Sequence, residues 1–245
     1  MPAFRNKLWD GQIKLYNIYK QTIYKGLYDY VIKFAEDRKY KIIEPEPIKN
    51  TGIVKEEHIR KFIDEHLKPV AAGESITAHD HQIEAVAHAI NNERCLLLSP
   101  TGSGKSLIIY ALVRYYMIPK DKKILIVVPT TSLVRQMLSD FNEYSSDDNW
   151  KAEDNCHCVF AGRNKTSKKR VIISTWQSIY KLGNEYFSNF HACFGDECHL
   201  FKSKSLTTLM SKLLSCPYRI GTTGTLDDSL THKLVIEGLF GRVRK

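Results

Sequence analysis

No run of apolar residues in this chain of 245 is long enough to span a bilayer. The longest purely aliphatic stretch is Ile124–Val128, against the ~20 residues a membrane helix needs. The opening residues, MPAFRNKLWDGQ, contain no apolar core of an export signal. The six cysteines, Cys95, Cys156, Cys158, Cys193, Cys198 and Cys216, lack the regular spacing of a disulfide framework, so reduced thiols are expected. Cys156-His157-Cys158 puts one residue between two thiols. That is tighter than the pair of a zinc site, and no second pair follows, so a strand-edge segment is expected instead. No internal repeat is present. A composition of 43% hydrophobic and 26% charged residues excludes disorder of the whole chain.

What the chain does have is positive charge. Lys and Arg number 36 against 27 Asp and Glu, a formal net charge of +9. That balance favours a polyanionic partner. The one strongly biased segment is RNKTSKKR, residues 163–170.

Two patterns divide the chain. Residues 1–75 read as a small α+β unit. Short strands are expected within Gln12–Tyr19 and Thr22–Tyr24, a helix at Gly26–Arg38, a return strand at Lys41–Ile43, a helix at Val54–Leu67, and a linker at Pro69–Ser75. From residue 76 to 245, helices alternate with apolar strands. The strands are expected at Cys95–Leu98, Ile124–Val128, Val171–Ser174, Ala192–Gly195 and Tyr218–Gly221. Helices are expected at Asp80–Ile90, Lys105–Tyr116, Ser132–Tyr144, near Gln177–Lys181, at Lys204–Leu214 and at Ser229–Phe240. Apolar strands between helices imply an α/β fold, with a parallel sheet covered on both faces.

Strand Cys95–Leu98 runs into Ser99-Pro100-Thr101-Gly102-Ser103-Gly104-Lys105-Ser106 and then a helix. This is the order a nucleotide phosphate site needs. Glycines let backbone N–H groups turn inward, and the helix N-terminus adds partial positive charge. Thr101, Gly102, Ser103, Gly104, Lys105 and Ser106 are the expected ATP contacts. Lys105 would reach the outer phosphates and Ser106 would offer its hydroxyl to Mg²⁺. Ser99 stands where the strict motif has glycine.

A second chemical signal follows the strand at Ala192–Gly195: Asp196-Glu197-Cys198-His199. Ligands of open α/β sheets bind at the carboxyl ends of strands, and two carboxylates there are costly without a task. Asp196 is placed to hold Mg²⁺, and Glu197 to orient and deprotonate an attacking water. Lys105, Asp196 and Glu197 form the expected catalytic set.

In this order the motifs resemble those of superfamily 2 helicases of the DExH group, over residues ~77–245. Gln82 in HDHQIEAV is similar to the glutamine that reads adenine in that group, with His79 and His81 where aromatic or arginine residues are commoner. Residues 129–136, PTTSLVRQ, resemble motif Ia. Ser174-Thr175-Trp176-Gln177 resembles the next nucleic-acid motif, and Thr223-Gly224-Thr225 resembles motif III, with glycine in place of alanine. WDGQIKL near the N-terminus, the motif Ia segment, STWQS and DECH together narrow the resemblance to a branch of T-even bacteriophages, in which a small nucleic-acid-binding domain precedes the first motor domain.

The resemblance implies a RecA-like ATPase domain at residues 76–245, with ATP and Mg²⁺ as cofactors. It implies ATP-dependent unwinding, branch migration and annealing of branched or junction DNA, with RNA also compatible. No membrane partner is expected, and the setting would be cytoplasmic, the host's if phage-encoded. Thr223, Thr225 and His199 would couple hydrolysis to movement. Thr130, Thr131, Arg135, Thr175 and Gln177 would contact nucleic-acid backbone, although Thr130 and Thr131 also suit helix capping. Trp176 either stacks on a base or fills the core. RNKTSKKR either attracts phosphate or is a solvated loop. Arg5, Lys7, Trp9, Lys14, Tyr16 and Lys20 interleave aromatic and basic residues, which fits DNA contact as well as a small core with snorkelling lysines. Motors of this group complete their ATP site with arginines from a second RecA-like domain, which does not fit after Thr225. Three readings follow: the N-terminal half of a helicase, a nucleotide- and DNA-binding module with little activity alone, or the motor of a restriction-type translocase.

Overall fold

The computed structural model describes residues 14–43, 53–100, 102–119, 121–200, 204–225 and 230–244. Two short antiparallel hairpins come early: β1 (Tyr16–Asn17) with β2 (Thr22–Ile23), and β3 (Val70–Ala71) with β4 (Glu74–Ser75). Between them lie α1 (Tyr28–Asp37) and α2 (Glu56–Lys61), the latter extended by a π turn over Phe62–Leu67. The alternating part follows as α3 (Asp80–Asn91), β5 (Arg94–Leu98), α4 (Lys105–Tyr116), β6 (Lys123–Val128) and α5 (Thr131–Tyr144). Then come α6 (Ala152–Asn155), β7 (Cys156–Val159), β8 (Val171–Thr175), α7 (Trp176–Ile179) and α8 (Asn184–Phe187). The chain closes with β9 (Phe190–Gly195), α9 (Lys204–Lys212), β10 (Tyr218–Thr223), α10 (Leu230–Phe240) and β11 (Val243–Arg244).

Strands β5 to β11 form one seven-stranded sheet in the order β11-β5-β10-β9-β6-β8-β7, with every neighbouring pair parallel. Each central strand buries both faces. On β6, Ile124, Ile126 and Val128 enter one apolar cluster and Leu125 and Val127 the other. The first cluster packs beneath α3, α4 and α5; the second holds Leu206, Leu209, Ile236 and Phe240 from α9 and α10. Burial on two sides explains why these strands read as unbroken apolar runs. The sheet covered on both faces is the expected RecA-like arrangement.

Two expectations are corrected, and one strand is added. Lys41–Ile43 pairs with no strand among the described residues. Pro69–Ser75 is a hairpin rather than a linker. Its turn residues, Ala72 and Gly73, have φ of +53° and +78°, the two positive values a tight hairpin turn requires. The segment at 243–244 joins the sheet edge by pairing with Leu96 and Leu97.

Packing is continuous across residue 75. Ile59, Ile63 and Leu67 lie in the same buried cluster as Ile83 and Ile109. Farther back, Tyr30 Oη donates to Glu237 Oε2 on α10 at 2.7 Å. A Cβ on Gly26 would meet the Glu237 carbonyl at 1.9 Å, so only glycine lets the two segments approach this closely.

Candidate nucleotide and nucleic-acid site

The loop from Ser99 to Gly104 bridges β5 and α4. Gly102 and Gly104 have φ of +82° and +76°, a conformation side chains resist. Ser99 N–H donates to the Thr223 carbonyl at 2.9 Å and Ser103 N–H to the Pro100 carbonyl at 3.2 Å. The Lys105 ammonium lies across the loop, 3.3 Å from the Ser99 carbonyl and 3.4 Å from that of Pro100. Thr101, an expected contact, falls outside the described residues.

Strand β9 delivers the acidic pair to this loop. Asp196 is 7% exposed. Its Oδ1 accepts the Thr222 hydroxyl at 2.8 Å and the Glu197 N–H at 2.9 Å. A buried carboxylate is tolerable only with such donors. Glu197 has a φ of +52°, an uncommon conformation for a residue with a side chain. Its Oε1 is 3.8 Å from the Lys105 ammonium and its Oε2 is 3.2 Å from His199 Nδ1. His199 Nδ1 also meets the Thr223 hydroxyl at 3.0 Å, and that hydroxyl donates to the Thr225 carbonyl at 2.8 Å. A hydroxyl has one proton, so with the carbonyl taking it the Nδ1–H is the donor of the other bond. Lys105, Glu197, His199 and Thr223 thus form one connected chain of contacts.

Two residues of this site were missed in the sequence. Ser106 Oγ lies 2.8 Å from the Tyr144 hydroxyl, and Asp140, one turn earlier on α5, also bonds to Ser106. Burial pushes the Asp140 carboxyl upward, and the negative charges of Glu143 and Asp196 push the same way against the Ser106 bond. Burial likewise raises Tyr144. No local motif marks these positions, because the partners are distant in sequence.

Gln82 is 5% exposed and both ends of its amide are engaged. Oε1 accepts the His79 N–H at 2.9 Å, and Nε2 donates to the Ser103 carbonyl at 3.1 Å. The His79 and His81 rings stack at 5.6 Å, and His81 Nε2 reaches the same Ser103 carbonyl at 3.1 Å. A cavity of about 370 Å³ lies beside the loop, lined by His81, Glu84, Leu97, Ser103, Ile108 and Arg244.

The expected nucleic-acid residues gather at the carboxyl ends of neighbouring strands β6 and β8. Thr130 caps α5, its hydroxyl accepting the Leu133 N–H at 3.2 Å. Thr131 and Arg135 are exposed. Thr175 is buried, its hydroxyl 2.9 Å from that of Ser178. Gln177 is exposed and ties the two loops together by donating to the Pro129 carbonyl at 3.3 Å. Trp176 is half-buried against the second apolar cluster. Cys156-His157-Cys158 lies in β7, the edge strand. Of the N-terminal basic and aromatic set, Lys14, Tyr16 and Lys20 are exposed, while Arg5, Lys7 and Trp9 lie outside the described residues.

Known proteins share this arrangement. The chain is 35% identical over 252 residues to the ATP-dependent DNA helicase uvsW of Enterobacteria phage T4, covering 100% of this chain and 48% of that protein. A crystal structure of the UvsW helicase from bacteriophage T4 superposes with a TM-score of 0.85 at 32% identity, over 100% of this chain and 86% of that one. The DNA 3'-5' translocase XPB2 of Sulfurisphaera tokodaii is 29% identical over 162 residues, 66% of this chain and 34% of that protein. The chain therefore spans about half the length of its phage relative, and less of the archaeal one. The family described as type III restriction enzyme, res subunit, matches residues 75–228. With that match over most of the chain, and with the RecA-like sheet carrying its loop and acidic pair, the chain belongs to this family and contains its helicase domain.

Proposed function

We propose that the chain is the N-terminal motor half of an ATP-dependent DNA helicase acting on branched or junction DNA. The observation that carries this reading is the meeting of Glu197 and Lys105 at 3.8 Å. It brings a water-orienting carboxylate to the cation that would hold the outer phosphates. Phosphoryl transfer depends mainly on positioning and charge neutralisation, and Glu197 is set by the end of β9 while Lys105 opens α4. The donors suit a divalent ion, with the hard oxygens of the Ser106 hydroxyl at the start of α4 and the Asp196 carboxylate after β9, and both groups act on the Asp140 carboxyl. Bound there, Mg²⁺ would neutralise charge between the phosphates. Gln82 and the His79–His81 stack would shape the adenine end, and the cavity beside them has room for a base. Thr130, Thr131, Arg135, Thr175 and Gln177 would follow the DNA backbone, with Thr223, Thr225 and His199 linking them to hydrolysis. Residues 1–75 would serve as an accessory DNA-binding unit docked on the motor, supported by the exposed hairpin carrying Tyr16 and Lys20.

The half-length match to the phage relative supports a second RecA-like domain in the working enzyme. An arginine supplied from such a domain is worth ~10³–10⁵ in rate. The isolated chain is accordingly expected to bind nucleotide and DNA, hydrolyse ATP weakly, and separate no strands. Lys105→Ala in the two-domain protein tests the assignment: turnover should be abolished with folding intact, and unchanged turnover rejects it. Multiple-turnover unwinding by residues 1–245 alone would reject the half-motor reading. The family's own description favours a second reading, the motor of a restriction-type translocase. Displacement of a triplex strand without separation of the underlying duplex would select it.

A further inference from the structure

The basic run after β7 divides into two kinds of cation. Arg170 donates to the carbonyls of Met117 at 2.7 Å, Pro119 at 2.5 Å and Lys122 at 3.1 Å. Lys169 donates to the Glu153 carbonyl. These two pin the loop to the protein. Arg163, Lys165 and Lys168 are exposed. The start of the loop is also fixed, since His157 Nε2 lies 2.8 Å from the Asn164 carbonyl.

Arg163 is held in a particular place. Its guanidinium lies 5.4 Å from the centre of the Phe160 ring, and Arg135 from α5 lies 5.4 Å from the same ring. One half-buried aromatic side chain therefore gathers two exposed guanidinium groups, one from each of two segments. Neither has a carboxylate partner among the described residues. Two cations held against one ring without a counter-charge make the local potential positive and favour an anion beside them. The sheet order gives the location. β7 lies beside β8, and β8 beside β6, all parallel. Phe160, following β7, thus stands at the same carboxyl edge as the Pro129–Arg135 and Thr175–Gln177 segments, one strand farther out.

We infer that Phe160, Arg135 and Arg163 form a phosphate grip that extends the nucleic-acid track to the edge of the sheet. Its occupant is the sugar-phosphate backbone of DNA. This rests on the reading that the chain binds DNA. Backbone continuity with the neighbouring segments and a net charge of +9 favour that polyanion over an acidic peptide. The ring holds the guanidiniums in place, and the guanidiniums make the contact.

The test is a salt titration of binding by the full chain to a labelled 20-nucleotide single strand and a labelled 20-base-pair duplex. Losing one phosphate contact lowers the slope of log affinity against log salt by about 0.7 for single strands and about 0.9 for duplex. Arg163→Ala should lower it by that amount. Lys151→Ala removes the same charge from an exposed position ahead of β7, at the end of that strand away from the proposed track, and should leave the slope unchanged. Phe160→Leu keeps both charges and should weaken binding several-fold at fixed salt, with thermal unfolding of all three variants showing that they fold. Equal slopes for Arg163→Ala and wild type overturn the grip while leaving DNA binding by the motif residues in place. A wild-type chain that binds neither DNA overturns both readings. Loss of polyglutamate binding with DNA binding intact overturns the choice of occupant.

Discussion

The Tyr144 hydroxyl and Ser106 Oγ stand 2.8 Å apart, joining the last turn of α5 to the first turn of α4. The first two turns of α5 carry Thr131 and Arg135, so one helix touches both ends of the proposed reaction. Its lower half is held firmly. Tyr110 on α4 packs against Phe141 at 5.3 Å, Tyr144 at 5.5 Å and Trp150 at 5.9 Å. Tyr144→Phe keeps this packing and removes only the hydroxyl. A lost hydrogen bond of about 0.5–1.5 kcal/mol corresponds to about 2- to 10-fold. The Mg²⁺ concentration needed for half-maximal nucleotide binding should rise by that factor, with metal-free nucleotide binding unchanged. An unaltered Mg²⁺ requirement would remove Tyr144 from the site.

Gly102 and Gly104 should respond differently to alanine. Both have positive φ, but a Cβ on Gly102 meets nothing within 4 Å, whereas one on Gly104 lies 2.1 Å from Gln82 Nε2. Gly102→Ala should cost about 1–2 kcal/mol, the backbone penalty alone. Gly104→Ala should cost more and displace the Gln82 amide from the loop, lowering nucleotide affinity at least tenfold. Urea unfolding and nucleotide titration of both variants separate the two effects. Equal losses would show that the Gln82 contact is unimportant.

Thr222→Val retains the shape of the side chain and removes a donor from buried Asp196. Leaving a buried polar group short of a partner costs about 1–3 kcal/mol. Chemical denaturation should show that loss, and Thr222→Ser should recover most of it. A valine variant as stable as wild type would mean that Asp196 is satisfied by the Glu197 N–H alone.

Alkaline pH should destabilise the protein through its thiols. Burial pushes Cys95 and Cys216 up to about 12, and Cys193 and Cys198 well above the ordinary value. The folded state therefore holds these protons more tightly than the unfolded chain. Their contribution is complete below pH ~9 and is lost as pH rises from there toward 12. Tyr110 and Tyr186, also raised to about 12 by burial, act with the same sign. The urea midpoint should fall steadily above pH 9, and at pH 8 a thiol reagent should modify half-buried Cys158 before the five buried cysteines. A midpoint flat to pH 11 would contradict the burial of these groups.

The sheet was legible in the chain because its strands are covered on both faces and so read as apolar blocks between helices. The loop and the acidic pair were legible because their chemistry needs particular residues at fixed spacing. Ala72 was not, because alanine gives no turn signal and the hairpin imposes its positive φ. Nor was β11, two residues in a basic stretch, paired only because Leu96 and Leu97 offer an open edge. α2 carried a correct helical period, but periodicity marks an apolar face without naming what covers it, and Ile59 and Ile63 pack with α3. Tyr144 and Asp140 looked like ordinary members of an amphipathic helix. Their role comes from tertiary contact with Ser106, which no local pattern encodes.

Tyr30 and Glu237, whose side chains bond at 2.7 Å, are 207 residues apart in sequence. At a synthesis rate of ~5–20 residues per second, roughly 10–40 seconds separate the emergence of the two. Over that interval α1 has no α10 to settle on, and its face carrying Val31 and Phe34, 38% and 51% exposed even in the folded protein, stays open to other chains. The earlier of the two segments thus waits for the later one before it is seated. Slow release from the ribosome, or a chaperone that covers α1, would bear most on the yield of this part of the molecule.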